Sequence, residues 1–178
     1  ITLDADLTTT NGGDISLYTD NPLGGLSTSR TLTAAGAFKY IPRGTTFTAD
    51  VTYPITNLNV TSTGLTIGKS TNDKNITINT DVTGDAGIEL YGGDIAINAN
   101  LKTTISGNML LKGNTTVAAG KYIESNGNFT QDGDITFKSD ANGTAAFGSL
   151  GGTYTTISGA VQVERYIPAR RAFRFLSP

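Results

Sequence analysis

Residues 1–7 (ITLDADL) and residues 95–101 (IAINANL) carry the same order of apolar and polar side chains, with each aspartate of the first stretch replaced by asparagine in the second. The register continues without a gap, so that residues 13–17 (GDISL) align with residues 107–111 (GNMLL). The whole of residues 1–17 thus matches residues 95–111 at one constant offset, which chance explains poorly. An internal repeat of this kind indicates a fold built from stacked units.

The most compact form of the repeat is Gly-Asp-Ile-x-apolar, found at residues 13–17, 93–97 and 133–137. A related stretch at residues 76–82 (ITINTDV) comes shortly before the copy that contains Ile95. A weaker strand-like stretch at residues 115–117 (TTV) lies near the midpoint between the last two copies. The spacing therefore predicts a repeat unit of about 20 residues, the size of one coil of a β-solenoid.

Within the repeats, apolar residues alternate with polar ones, the period of a β-strand with one buried face. The alternating pairs are Leu65 and Ile67, Ile76 and Ile78, Ile88 and Leu90, Ile95 and Ile97, and Ile135 and Phe137. Abundant Thr favours strands, and the Gly, Asn and Asp residues favour sharp corners between them. The predicted fold is all-β: a parallel β-helix or β-solenoid of roughly eight or nine coils, forming a rod on the order of 40 Å long.

An antiparallel β-sandwich is the main alternative, because it explains the composition equally well. It does not explain why one pattern recurs with its turn residues in register. We assign residues 1–158 to the solenoid, with an irregular excursion at about residues 21–54, where three prolines interrupt the spacing. Residues 159–178 form an Arg- and aromatic-rich segment that continues the rod or starts the next domain.

The composition excludes several classes of function. The chain has no Cys and no His, which removes thiol nucleophiles, Ser-His-Asp triads and most transition-metal sites. A net charge of −2 argues against nucleic acid as a partner, and no apolar run is long enough for membrane insertion. The chain opens at Ile1 inside a predicted strand, which suggests a processed chain or a piece of a longer one.

Carboxylates are the main remaining acid–base candidates. Most of the Asp residues lie beside Gly or Asn, where turns require them, as at Asp132 and Asp134. Glu89 and Glu124 are isolated in strand-like segments, so no catalytic residue is assigned. Calcium is a minor candidate as a cofactor, because residues 140–143 (DANG) and 72–73 (ND) resemble parts of oxygen-ligand loops.

The basic residues near the C-terminus are the one local charge anomaly. Arg165, Arg170, Arg171 and Arg174 lie close together in the sequence, with no acid from Arg165 onward and with aromatic side chains between them. The cluster is a candidate patch for an anionic ligand or an interface. A structural alternative is a strand with its arginines facing outward, and this interpretation is favoured.

Residues 65–70 (LTIGKS) and 90–95 (LYGGDI) resemble the repeat region of very large surface proteins of the Bacteroidetes, and residues 163–176 (VERYIPARRAFRFL) resemble a segment that follows such repeats. The Gly-Asp-Ile repeats also resemble those of filamentous-haemagglutinin-like adhesins, which are right-handed β-helices. The resemblance implies a secreted, surface-displayed segment exported by the type IX machinery.

The resemblance further implies adhesion or gliding, with surface glycans or other cell-surface components as partners. No enzymatic activity is expected, because the chain lacks His and Cys and its carboxylates lie mostly at turns. Two alternatives stay open. One is a carbohydrate-active β-helix enzyme, recognisable by two or three carboxylates with Lys or Arg on one solvent-facing strand column. The other is a passive cargo segment whose only defined partner is the export machinery.

Overall fold

The chain folds into short β-strands joined by turns and loops, in a computed structural model that describes residues 3–168. The β-branched and alternating apolar residues explain this choice, because they pack well on a pleated surface. The strands are β1 (Leu7–Thr8), β2 (Ile15–Tyr18), β3 (Arg30–Thr33), β4 (Ala37–Ile41), β5 (Val51–Tyr53), β6 (Leu58–Thr61), β7 (Gly64–Ile67), β8 (Ile76–Ile78), β9 (Val82–Gly84), β10 (Gly87–Ile97), β11 (Leu101–Thr103), β12 (Met109–Val117), β13 (Tyr122–Ser125), β14 (Phe129–Asp132), β15 (Ile135–Phe137), β16 (Ser139–Asp140), β17 (Gly143–Thr144), β18 (Ala146–Leu150), β19 (Thr155–Ile157) and β20 (Val161–Val163).

The strands stack in three columns. The first column runs β1-β3-β6 and then, in a separate sheet, β9-β11-β13-β18. The second column runs β2-β4-β7-β10-β12-β14-β19. The third column contains β5, β8, the second halves of β10 and β12, and then β15 and β20. From β3 onward, each coil of the described chain passes through the columns in this order, and the first coil contributes β1 and β2.

Neighbouring strands within every column are parallel, which confirms the β-solenoid and excludes the antiparallel sandwich. Among the described residues, the antiparallel pair is the small hairpin of β16 and β17, which projects between β15 and β18. Within residues 3–168, the seven strands of the second column define seven coils.

The coils are longer and fewer than the repeat spacing predicts. Strand pairing in the second column aligns one residue from each coil at the same position. These residues are Ile15, Phe38, Leu65, Ile88, Met109, Phe129 and Thr155. These positions are unevenly spaced, with a mean coil length of roughly 23 residues. The two shortest coils begin at Ile88 and Met109, where β10 and β12 continue from the second column into the third. Loops such as residues 42–50 and the β16–β17 hairpin lengthen others.

The core is the interior of the coils, filled by the alternating residues of each strand. Ile76 and Ile78 of β8, for example, are fully buried, and so are Ile88 and Leu90 of β10. All five alternating pairs found in the sequence point inward, with relative exposures of 2% or less. Since each coil alone would leave these side chains in water, the stacking of coils supplies the hydrophobic stabilisation.

Gly-Asp and Gly-Asn pairs form the corners, as predicted, but they serve two different corners. Residues 13–15 lead into the second column, whereas residues 93–95 and 133–135 lead into the third. Glycine is required because a Cβ on Gly113 would lie well inside van der Waals contact with the carbonyl oxygen of Gly92 in the coil below. Backbones of successive coils approach closely at both corners, so both corners carry the Gly-Asp or Gly-Asn pair.

A stack of alternating Asp and Asn side chains runs along the entrance to the third column. Its members, in order, are Asp50, Asn75, Asp94, Asn114 and Asp134. The Asn75 backbone NH donates to Asp50 (3.0 Å), the Asp94 NH donates to Asn75 (3.0 Å), and the Asn114 amide donates to Asp94 (3.3 Å). The amides separate the carboxylates, so like charges do not meet on adjacent coils.

The region predicted as an irregular excursion, residues 21–54, contains β3, β4 and β5 of the coils, and residues 21–29 contain no strand. Beyond residue 158, β20 pairs with β15 in the third column. Within residues 3–168, no helix is long and apolar enough to cross a membrane.

Candidate functional site

A groove of about 530 Å³ lies on the outer surface where the first column turns into the second. Its volume falls within the range of ligand sites in proteins, roughly 300–1,000 Å³. The lining residues come from five consecutive coils: Gly12, Asp14, Ala35, Gly36, Ala37, Lys39, Thr63, Thr66, Ala86, Gly87, Glu89 and Asn108.

Small side chains explain why the surface is indented here. The residues that precede or open the second-column strands form one row along the rod: Asp14, Ala37, Gly64, Gly87 and Asn108. The three middle positions carry Ala or Gly, while the two ends carry larger polar side chains. The depression therefore spans four coil steps, or about 19 Å at the spacing of paired strands.

An ion pair forms one wall of the groove. Lys39 Nζ lies 2.5 Å from Asp14 Oδ2, and the backbone NH of Ala37 donates to Asp14 Oδ1 at 2.7 Å. The hydrogen bond from Lys39, followed by that from Ala37, lowers the pKa of Asp14 below its ordinary 3.8. The same pair raises the pKa of Lys39, so both groups are charged at neutral pH.

Glu89 lies on the same outward row as Lys39, two coils further along. Tyr91 donates a hydrogen bond from its hydroxyl to Glu89 Oε2 at 3.3 Å. Burial, with a smaller contribution from the Glu89 charge, raises the pKa of the Tyr91 phenol. Glu89 also contributes to the raised pKa of Lys39, which places the ammonium within the field of both carboxylates.

The two carboxylates of the groove are far apart. Asp14 and Glu89 belong to coils separated by three steps, which corresponds to about 14 Å along the rod. Carboxyl pairs that hydrolyse glycosidic bonds stand about 5–5.5 Å apart in retaining enzymes and about 6.5–9.5 Å apart in inverting ones. The spacing of Asp14 and Glu89 suits contacts to a long ligand better than an acid–base pair.

The other carboxylates considered from sequence have structural partners outside the groove. Asp134 Oδ1 accepts from the backbone NH of Ala160 at 2.8 Å in the next coil. Asp132 lies 3.8 Å from Lys112, and Glu124 lies 3.0 Å from Lys102.

The residues considered for calcium are occupied by turn contacts. The buried Asn72 side chain accepts from Thr46 (2.9 Å) and donates to the Tyr91 carbonyl oxygen (2.7 Å), which ties three coils together. Asp140 accepts from the backbone NH of Asn142 at 2.7 Å in the β16–β17 hairpin. In the part of the chain that the structure describes, no three acidic side chains gather as a metal site.

The structure places Arg165 on the surface just after β20, away from the groove. Its neighbour Glu164 pairs with Lys138 at 2.6 Å, which lowers the pKa of Glu164. The remaining residues of the candidate patch, Arg170, Arg171 and Arg174, lie outside the described residues.

Sequence reasoning missed Asp14 and Lys39 as site residues. Neither their separation in the chain nor that of Lys39 from Glu89 is a multiple of the predicted repeat unit of about 20 residues, so that period does not bring the three together. One signal was available: Lys39 lies between Phe38 and Tyr40, so the alternation predicts that its side chain points outward. Its neighbours on the surface can be identified only when the coil lengths are known.

No family model, no curated protein and no solved structure matches this chain. Its function is therefore inferred from the stacked coils and the groove.

Proposed function

We propose that the chain is a structural and adhesive segment of a secreted bacterial repeat protein displayed at the cell surface. The observation that carries this proposal is the stack of seven parallel coils in residues 3–168, whose inward rows are mainly apolar and whose outward rows are mainly polar along the rod. Such a solenoid offers an extended binding face and holds whatever follows it at a distance from the surface.

The resemblance of the repeats to Bacteroidetes surface proteins supports the finer parts of the proposal. These are a role in adhesion or gliding, export by the type IX machinery, and surface glycans or other surface components as partners. The polar groove agrees with a glycan partner, because each sugar hydroxyl can both donate and accept a hydrogen bond.

The test is to delete these residues from the parent protein in the source bacterium and to measure adhesion and gliding. We expect the shortened parent to reach the surface, as judged by labelling of intact cells, with adhesion or gliding reduced. Full adhesion and gliding at equal surface levels would contradict the proposal and favour the passive cargo segment.

A carbohydrate-active enzyme is the second candidate, because Asp14, Lys39 and Glu89 share one groove on the solvent-facing side of the second column. The large separation of the two carboxylates makes it the weaker candidate. Incubation with a panel of neutral and acidic polysaccharides distinguishes the two: new reducing ends, or new unsaturated ends absorbing in the ultraviolet, would favour the enzyme.

A further inference from the structure

We propose that the groove between the first and second columns holds a stretch of an uncharged, linear, hydroxyl-rich glycan that lies parallel to the axis of the rod. This inference rests on the proposed adhesive function and names its ligand class and binding site.

The shape of the groove indicates a chain-like ligand. The groove spans the coils from Asp14 to Asn108, about 19 Å along the rod, but across the strands it covers only the corner and the first outward row. A compact ligand would leave most of that length empty, whereas an extended polymer can contact every coil and continue beyond both ends.

The two sides of the groove offer donors and acceptors at coil-spaced intervals. On the strand side lie the Lys39 ammonium, the Thr66 hydroxyl and the Glu89 carboxylate, which occupy one outward row in three successive coils. The Thr63 hydroxyl lies on the corner side, and the Asn108 amide lies at the far end. A ligand with hydroxyl groups along its length can donate to the carboxylates and accept from the ammonium without carrying charge.

The floor between these side chains is small and partly apolar. Ala35, Ala37 and Ala86 present methyl groups, and Gly36 and Gly87 present backbone. A sugar ring has polar edges and a C–H face, so it can place that face on the methyl groups while its hydroxyls reach the walls. Contact between the C–H faces of the sugars and these methyl groups would remove apolar surface from water over several coils.

The charges select against acidic polymers. Asp14 and Glu89 carry two negative charges, and Lys39 carries the one positive charge among the lining residues, already paired with Asp14 at 2.5 Å. A polymer with a carboxylate on each sugar would meet net repulsion and would have to break that pair. The favoured ligand is therefore neutral.

The experiment is isothermal titration calorimetry of the chain with neutral linear oligosaccharides of increasing length, covering different linkages, and with polygalacturonate as the acidic comparison. We expect at least one neutral series to bind, with an affinity that rises with chain length until the groove is filled and then levels off. Polygalacturonate is expected to bind at least about tenfold more weakly, the equivalent of about 1.4 kcal/mol.

Two matched variants locate the site. Thr66→Trp places an indole in the groove between Lys39 and Glu89, and we expect it to lower the affinity about tenfold or more. Thr130→Trp makes the same change on the same outward row of β14, two coils beyond Glu89 and outside the groove, and should leave the affinity unchanged. Lys39→Met, which removes the ammonium and keeps the apolar stem, should also weaken binding. A cooperative melting transition well above the titration temperature confirms that each variant is folded.

The inference is overturned if no neutral oligosaccharide binds at millimolar concentration, if Thr66→Trp and Thr130→Trp lower the affinity equally, or if polygalacturonate binds more tightly. The adhesion of a parent protein that carries Thr66→Trp distinguishes failure of the groove proposal from failure of the proposed adhesive function. Adhesion unchanged by Thr66→Trp but lost on deletion of the segment would leave the adhesive function standing and reject the groove as its site.

Discussion

At the residue scale, three non-glycine residues in the described chain have left-handed backbone conformations. Two are Asn11 (φ 53°) and Asn57 (φ 59°), and asparagine tolerates this region. The third is Ile105 (φ 55°), a β-branched residue for which the conformation is strained. Ile105 is 79% exposed in the turn closed by the hydrogen bond from the Gly107 NH to the Thr104 carbonyl oxygen.

Ile105→Asn should therefore stabilise the protein by about 1 kcal/mol, since it relieves backbone strain and sacrifices little buried area. Urea unfolding measures the change. The reciprocal variant, Asn11→Ile, provides the control and should lose a similar amount. Destabilisation by both variants would show that the Ile105 side chain makes a stabilising contact.

The ion pair of Asp14 and Lys39 predicts a pH effect at the same scale. Because the folded state holds the pKa of Asp14 below 3.8, ionised Asp14 favours folding above that pH, and this contribution is lost as the pH falls through the folded-state pKa. Lys39→Met removes the largest cause of the shift, so the pKa of Asp14 should rise towards its ordinary value. Titration of the carboxyl carbon by nuclear magnetic resonance measures it, and Lys138→Met, near β20 and Glu164, should leave it unchanged.

At the scale of elements, the glycines at the corner between the second and third columns control how closely coils can stack. Gly113 has φ of 134°, and a Cβ there would clash with the carbonyl oxygen of Gly92. Gly113→Ala should cost about 2–4 kcal/mol, combining backbone strain with a clash against backbone that cannot move alone.

Gly24→Ala is the matched control, because a Cβ at Gly24 meets nothing within 4 Å. That variant should change the free energy of unfolding by less than about 1 kcal/mol. Equal tolerance of both alanines in thermal melts would contradict the close stacking of the corners.

The stack of alternating Asp and Asn side chains at the entrance to the third column leads to a second prediction at this scale. Asn114→Asp would place carboxylates on three successive coils, because its neighbours in the stack are Asp94 and Asp134. We expect a loss of about 1–2 kcal/mol at neutral pH from like charges about 4.8 Å apart. The loss should shrink at 1 M salt, where the Debye length of about 3 Å is shorter than the distance between the coils.

Asn98→Asp supplies the control for charge, since its stack neighbours are Asn79 and Ala118. It should show a smaller loss with little dependence on salt. If the two variants behaved alike in urea unfolding at low salt and at 1 M salt, repulsion within the stack would not be the reason for the alternation.

At the scale of the whole molecule, the seven coils of residues 3–168 form a rod of about 34 Å, shorter than the roughly 40 Å expected from the repeat spacing. Stability in such a stack depends on contacts between neighbouring coils. Within residues 3–168, β10 and β12 have strand partners on both sides, whereas β19 and β20 have partners on one side. The last coil also leaves Val161 and Val163 at 49% and 65% exposure, although they are in register with the buried Ile135 and Phe137.

We therefore expect hydrogen exchange of the chain to be slowest in β10 and β12 and clearly faster in β18 to β20, as measured by mass spectrometry of peptic peptides. The physical reason is that the last coil can open without breaking the rest of the stack. Equal protection of all coils would indicate a single all-or-none unfolding unit.

The amino-acid sequence by itself determined the fold class, the inward rows and the corner residues. Each of these features depends only on residues that are close in the sequence. Ile76 and Ile78 alternate within one strand, and Gly133 and Asp134 form one corner, whatever residues the next coil contains. This is why the buried pairs were predicted correctly even though the coil length was underestimated.

Only the tertiary structure decided which outward side chains become neighbours. Asp14, Lys39 and Glu89 meet on one groove because of the lengths of the coils between them, and those lengths are set by loops that do not repeat. An outward row is assembled across coils by backbone pairing, and shifting any coil by one residue would move its outward side chain into the core. The groove is therefore a property of the stacked register, which no single repeat encodes.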